Sequence, residues 1–141
     1  MEPTIRVALR AEPLDPAALI AEVSRRDSGA TALFLGTARD HSDGKVGVTH
    51  LEYEAYAEHV EAKLLEIAGE AVTRWPVQAL VVEHRTGNVV VGEASVAVAV
   101  ATAHRGDAFE VARYVIDELK MRAPIWKREH WPGGAEWVEG G

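Results

Sequence analysis

The sequence predicts an α+β fold with a mixed or antiparallel sheet, two main helices and a short N-terminal helix. Its 141 residues match one domain of ordinary size, and we find no linker or repeat, so a single domain over residues 1–141 is expected. Hydrophobic residues make up 48% of the chain, enough for a true core. Strand-like segments outnumber helical ones without regular alternation, which favours α+β over doubly wound α/β.

The first half of the chain is predicted to hold three strands and two helices. Thr4–Arg10 alternates apolar and polar residues, as strands do. Asp15 before Pro16 marks a helix N-terminus, and this helix is expected to end near Ser28 and Gly29. The remaining elements are a strand at 30–35, a polar loop at 39–45, a strand at 46–56 and a helix at 57–75.

The second half is predicted to hold two strands, a helix and a hairpin. Strands at 78–84 and 94–103 flank a turn at 86–88, and a helix then starts after Gly106 and Asp107. This helix is expected to bury Phe109 and to stop at Pro124. A closing hairpin is predicted from strands at 125–131 and 136–139, joined by Pro-Gly-Gly.

Composition excludes several classes of function. A formal charge of −7 argues against a general nucleic-acid binder, which usually carries a basic surface. The chain has no cysteine, so it cannot form disulfides, thiolate metal sites, a cysteine nucleophile or a persulfide. Neither a signal segment nor an apolar stretch long enough to span a membrane is recognisable, which predicts a cytoplasmic protein.

A basic stretch stands out against this acidic background. Lys120, Arg122, Lys127 and Arg128 lie within nine residues that include no acid. Because Pro124 separates a helix from a strand, Lys120 and Lys127 can point into one cleft from different elements. Clustered cations lower each other's pKa and bind anions. The alternative is that Lys120 and Arg122 complement the helix dipole or that Lys120 pairs with Asp117.

Two further segments carry cationic side chains at the ends of predicted elements. His104 and Arg105 precede a helix, where backbone N–H groups favour phosphate or carboxylate; a polar loop capped by Asp107 is the alternative. Arg39 follows the strand that Gly36 closes. The six histidines form no metal-binding motif, and no phosphate-binding glycine loop is present, so neither a metal nor a cofactor is predicted.

Taken together, these segments resemble the large, catalytic subunit of molybdopterin synthase, the MoaE family. The similarity runs through nearly the whole chain in matching order and spacing. Its most specific part is Lys-x-Arg-Ala-Pro-x-Trp-Lys at 120–127. The matching segments are FLGTAR at 34–39, LEYEAY at 51–56, AHR at 103–105, KMRAPIWKRE at 120–129 and WVE at 137–139.

The resemblance implies a sulfurtransferase whose fold includes a hammerhead-type β motif. In that family, a small ubiquitin-like subunit inserts its C-terminal Gly-Gly thiocarboxylate into a pocket of the large subunit. Sulfur passes to cyclic pyranopterin monophosphate, and two rounds form the dithiolene of molybdopterin. The family is also dimeric, with a small subunit at each end of a heterotetramer.

The resemblance also implies roles for individual residues. Lys120 is the expected central catalytic lysine, acting in proton transfer close to the thiocarboxylate, and Lys127 is expected to assist and to bind substrate. Phosphate and pterin are expected to be held by Arg39, His104 and Arg105. The same pocket is expected to be lined by Thr37, Ala38, Arg128 and Glu129.

The sequence departs from the family pattern in two places. Thr37 and Ala38 replace a lysine and a bulkier residue that relatives often carry, so weaker binding at that edge is expected. The chain also stops soon after 137–139, whereas relatives often continue into a polar tail; if that tail helps to cover the pocket, this protein is expected to use something else. Two other functions stay open: a non-catalytic module that docks a ubiquitin-like partner through the basic groove, and a phosphate-ester-binding enzyme of unrelated chemistry. Lysine at both 120 and 127 favours catalysis, because docking alone requires only positive charge.

Overall fold

A computed structural model describes residues 2–42 and 45–139 of the chain. In chain order the elements are β1 (Thr4–Arg10), α1 (Pro16–Val23), β2 (Ala30–Thr37), β3 (His41–Ser42), β4 (Lys45–Val46), β5 (His50–Ala55), α2 (Ala57–Arg74), β6 (Val77–Arg85), β7 (Gly87–Val90), β8 (Ala94–Thr102), α3 (Arg105–Arg122), β9 (Ile125–Trp131) and β10 (Gly134–Glu139).

Eight of these strands form two four-stranded sheets and β3 pairs with β4 in a two-stranded one, which confirms the α+β prediction. The first sheet has the order β1-β6-β8-β2, in which β1 and β6 are parallel and the other pairs antiparallel. The second sheet, β10-β9-β5-β7, is antiparallel throughout. The chain passes from one sheet to the other between β6 and β7, where Gly87 adopts a φ of 77° that disfavours other residues.

The core lies on both faces of the first sheet. Alternate residues of β6 and β8 point to opposite faces, so Leu80 and Val82 pack with α2 and α3, whereas Ala79 and Val81 pack with α1. Helix α2 presents a fully buried stripe, as its spacing predicts. Each large side chain in that stripe stabilises the fold by about 2 kcal/mol. The stripe consists of Val60, Leu64, Ile67, Ala68 and Ala71.

Helix α1 is shorter than predicted. Asp15 caps it as expected, because its side chain accepts from the N–H of Ala18. The helix ends at Val23 and not near Ser28: both the N–H and the hydroxyl of Ser24 donate to the carbonyl of Ile20, and Ser24 itself is extended. A local side-chain bond thus ends the helix early.

Four further predictions are wrong in detail. The long strand predicted at 46–56 begins only at His50 as β5, and Gly87 and Asn88 belong to strand β7 and not to a turn. Helix α3 begins at Arg105, before Gly106. Phe109 is 68% exposed, because Ala108 and Val111 take the inward positions of that turn.

Within the part of the chain that the structure covers, helices are too short or too polar to cross a membrane.

Candidate active site

A cavity of about 210 Å³ opens where the two sheets meet beside the C-terminal end of α3. Both sheets, the loop after β2 and the last turns of α3 contribute to its wall. Its lining residues are Gly36, Thr37, Arg39, His41, Leu51, Tyr53, His84, Ser95, Val96, Leu119, Lys120, Lys127 and Glu129.

The second sheet supplies one wall through the register of β5 and β9. Tyr53 pairs with Lys127 and Leu51 with Glu129. Because side chains alternate along a strand, these four share the face that lines the cavity. Glu129 is only 5% exposed, so the cavity wall includes a buried carboxyl group as well as two lysines.

Lys120 lies in the last turn of α3 and meets Lys127 across the cavity. The helix ends at Arg122, with Ala123 as its C-cap just before Pro124, and the chain returns as β9. Burial, together with the positive charge of Lys127, holds the pKa of Lys120 below its usual range. A lysine with a depressed pKa gives up its proton more readily, which suits acid–base work.

A β-bulge brings a hydroxyl group into the cavity. In the pairing of β2 with β8, Gly36 lies opposite Val96 and Thr37 opposite Ala94, which leaves Ser95 as the extra residue. The Ser95 hydroxyl donates to the carbonyl of Gly36. It also contacts Tyr53, whose pKa is raised mainly by burial and further by the charge of Glu129.

His84 closes the inner wall at the end of β6. Its side chain is 2% exposed, and its ring meets that of Tyr53 edge to face with centroids 5.0 Å apart. The pKa of His84 is lowered to about 4, mainly by burial and also by the positive charge of Lys120, against the opposing effect of a bond to the Arg85 carbonyl. The imidazole is therefore neutral at physiological pH.

The predicted site residues fall into groups. Five line the cavity: Thr37, Arg39, Lys120, Lys127 and Glu129. Ala38 is buried, and its N–H and carbonyl bond Glu93 and Gly92. Arg128 projects from the other face of β9, with its guanidinium 5.7 Å from the centre of the Trp137 ring.

His104 and Arg105 lie at the opposite end of α3 from Lys120. Lys120 follows Arg105 by fifteen positions in the same helix, an axial rise of about 22 Å at 1.5 Å per residue. Both residues are exposed beside Gly29, which must be glycine because a Cβ there would lie 2.1 Å from the Ala103 carbonyl oxygen. His104 is the N-cap, without a side-chain hydrogen bond, so Asp107 does not cap this helix.

Arg122 does not join the other cations of the basic stretch. Its guanidinium lies 2.7 Å from Glu70, 2.9 Å from Glu118 and 3.4 Å from Glu66. Hydrogen bonds to Glu70 and Glu118 raise the pKa of Arg122. Arg122 therefore has the kind of structural role that the sequence left open for the basic residues at this helix end.

Four polar residues of the cavity wall are not among those predicted from the sequence: His41, Tyr53, His84 and Ser95. Tyr53 belongs to segment 51–56 of the family resemblance. The one signal in the sequence is its spacing of two residues from Leu51, which puts both side chains on the same face of a strand. Nothing in the sequence signals the bulge at Ser95. His84 reads as the polar end of an apolar strand, and its place depends on how the two sheets meet.

The fold and cavity define an α+β protein with two lysines in one cavity, an arrangement suited to an anionic ligand and to proton transfer. A profile of the family described as MoaE protein matches residues 9–122. The molybdopterin synthase catalytic subunit of Mesorhizobium japonicum is 44% identical over 143 residues, 99% of this chain and 87% of that protein. That of Caulobacter vibrioides is 43% identical over 135 residues, 94% of this chain and 88% of that protein.

Solved structures agree with these relatives. Molybdopterin synthase from Staphylococcus aureus superposes with a TM-score of 0.87 at 32% identity, covering 93% of this chain and 95% of that chain. A molybdopterin biosynthesis MoaE protein from Burkholderia ambifaria gives a TM-score of 0.79 at 37% identity, covering 99% and 90%. The chain belongs to the MoaE family.

Proposed function

We propose that this chain is the catalytic subunit of a molybdopterin synthase. It transfers sulfur from the C-terminal thiocarboxylate of a small ubiquitin-like subunit to cyclic pyranopterin monophosphate, forming the dithiolene of molybdopterin. The observation that carries the proposal is the convergence of Lys120 and Lys127 on one cavity in a protein of net charge −7. The 43–44% identity to catalytic subunits over nearly the whole chain supports it.

The cavity suits two anions that meet. Arg39 and Lys127 supply positive charge for the substrate phosphate and the partner's tail, while Lys120, with its depressed pKa, can exchange a proton as charge develops on the reacting atoms. The chain has no cysteine to hold a persulfide, so the sulfur must arrive on a partner. No cofactor is required by this chemistry.

The two ends of α3 can serve one reaction if the protein is a dimer. A rigid helix keeps Arg105 about 22 Å from Lys120, so we assign His104 and Arg105 to the substrate site of a second copy. Strand β2 lies at an edge of its sheet; Gly29 directly precedes it and Thr37 is its last residue. Antiparallel pairing of two β2 edges about a twofold axis would place His104 of one copy near Arg39 of the other.

Reconstitution tests the proposed function directly. The purified chain is incubated with a thiocarboxylated small subunit and cyclic pyranopterin monophosphate, and molybdopterin is measured after oxidation to a fluorescent pterin. We expect product that depends on all three components, with a small subunit ending in a plain carboxylate as the control. Binding of the small subunit without any product would instead identify a docking module.

Subunit mixing tests the assignment of His104 and Arg105. We expect the Lys120→Ala chain and the Arg105→Ala chain each to be inactive. The two chains are unfolded together and refolded as a mixture, so that mixed dimers can form. If Arg105 acts in the partner's site, each mixed dimer regains one intact site, giving about a quarter of wild-type activity for random pairing. No recovery in a mixture shown to contain mixed dimers would assign Arg105 to its own chain's site.

We also propose a cytoplasmic location, which fractionation of cells expressing the tagged chain tests.

A further inference from the structure

His84 forms part of the cavity wall, yet the proposed sulfur transfer assigns it no role. Its side chain is 2% exposed and lies at the end of β6, directly before the crossing from the first sheet to the second. Burying a polar ring costs free energy unless its nitrogen atoms find partners. A hydrophobic side chain would fill the same wall without that cost, so the imidazole itself requires an explanation.

The hydrogen bond of His84 fixes its tautomer. Its Nδ1 atom lies 2.7 Å from the backbone carbonyl oxygen of Arg85. A carbonyl oxygen can only accept, so Nδ1 carries the proton of the neutral ring. The other nitrogen, Nε2, is then left with a lone pair and can only accept a hydrogen bond.

The groups around His84 come from every element that meets at the cavity. Tyr53 on β5 contacts the ring edge to face, and Lys120 on α3 is close enough for its charge to oppose protonation of the ring. The cavity also brings in Arg39 after β2 and, on β9, Lys127 and Glu129. Lys120 is a hydrogen-bond donor among these neighbours. Its pKa is depressed, and its proposed role in proton transfer depends on that depression.

We propose that His84 is a positioning residue for Lys120, with Nε2 accepting a hydrogen bond from the lysine amine and aiming it into the cavity. A neutral acceptor suits this task better than a carboxylate does. A carboxylate beside Lys120 would raise the pKa of the lysine and hold its proton. The neutral imidazole orients the amine and leaves its charge available to the anionic ligand.

The first test reads Lys120 directly and does not depend on turnover. Side-chain ¹⁵N NMR follows the titration of Lys120 in the wild-type chain and in His84→Gln and His84→Leu variants. Because an acceptor favours the charged amine, His84→Leu should lower the pKa of Lys120 below its wild-type value, and His84→Gln should keep it nearer. An unchanged Lys120 titration in a folded His84→Leu variant would overturn the proposal.

The second test is kinetic and rests on the proposed function. We expect His84→Leu to lower kcat about tenfold, the effect of one hydrogen bond lost from a transition state, with little change in KM. Glutamine offers a neutral acceptor and should recover most of that loss. Equal losses in the glutamine and leucine variants would contradict an acceptor role.

Val82→Ala is the matched control for packing. Val82 is fully buried, two residues before His84 on the same face of β6. Its truncation should lower the Tm and leave the Lys120 titration and the pH dependence of kcat as in the wild type. If Val82→Ala shifts both as His84→Leu does, His84 acts through packing alone and the proposal fails. Absence of turnover in the wild type would contradict the proposed function, while the NMR titration would still decide the role of His84.

Discussion

Two cations separated by one residue at the end of α3 meet opposite electrostatic surroundings. Lys120 faces a cavity where its neighbour is Lys127, and its pKa is lowered. Arg122 points to the junction of α2 and α3, where Glu66, Glu70 and Glu118 surround it and its pKa is raised. Both residues lie in the last turn of the same helix, where any cation complements the dipole.

The difference shows that neighbours across the fold, and not the helix end, divide these residues between chemistry and stability. The charge of Arg122 is matched by carboxylates, so it has a structural role. The charge of Lys120 is opposed by Lys127, an arrangement that costs stability and is useful only where an anion binds. Substitutions on the two sides should therefore affect different measurements.

The largest expected effect is that of Lys120→Ala on turnover. Removing a proton-transfer group should lower kcat/KM on the order of a thousandfold, while affinity for the small subunit stays within several-fold. Steady-state kinetics and calorimetric titration with the small subunit measure the two quantities. Lys120→Arg is the control, since it keeps the charge but cannot release its proton at working pH. Near wild-type turnover in Lys120→Ala would remove the proposed role of Lys120.

Acid should lower the free energy of unfolding through His84, which lies in the cavity wall with Lys120. Its folded pKa of about 4 lies below the unfolded value, so between about pH 6.5 and 4 the unfolded chain binds a proton that the folded chain does not. Stability is therefore complete above this window and should fall by about 3 kcal/mol across it. Urea unfolding at several pH values measures the fall. A parallel fall in His84→Gln would show that other groups cause it, among them Glu70, whose pKa of about 2 acts in the same direction at lower pH.

Arg122→Ala should show the reverse of the Lys120 result. Its removal leaves Glu70 and Glu118 without their shared partner, so the Tm should fall while kcat stays close to that of the wild type. Arg113→Ala is the matched control: it removes a cation of the same helix whose pair with Asp117 is exposed, so its effect should be within about 0.5 kcal/mol. If Arg122→Ala loses turnover at temperatures where it is folded, the division between a structural role for Arg122 and a catalytic role for Lys120 is wrong.

The smallest expected effect is that of Lys127→Met on the titration of Lys120. Removing the like charge should raise the pKa of Lys120 toward its usual range, because the coulombic opposition disappears while burial remains. Side-chain NMR of the free chain measures the shift. A Lys120 titration that does not respond would mean that burial alone lowers its pKa.

The sequence predicts this site where local signals decide it, and fails where tertiary geometry does. Pro124 separates α3 from β9, which was enough to predict that Lys120 and Lys127 reach one cleft. Phe109 was assigned to the core because helical spacing leaves the rotation of α3 uncertain by a residue, and it is exposed. The grouping of Arg105 with Lys120 stays a prediction, because the helix holds them about 22 Å apart within one chain and a second copy is needed to bring them together.

Two cavity residues depend on pairings that one sequence does not reveal. Ser95 enters through a shift of register between β2 and β8, for which the segment carries no local marker. His84 reaches the cavity because the second sheet packs beside the end of β6, a relation between distant segments. Both are set by long-range strand geometry, whereas helix caps and breaks are set by a few adjacent residues.

The alternation of side chains along β9 has a consequence for how this protein can change. Lys127 and Glu129 face the cavity, whereas Arg128 lies on the other face of β9 beside Trp137 of β10, and Trp126 is 53% exposed. One strand thus carries cavity-lining side chains at 127 and 129, and side chains directed away from the cavity at 126 and 128. Substitution at Trp126 can change the exterior of the strand while the same backbone keeps Lys127 and Glu129 at the cavity.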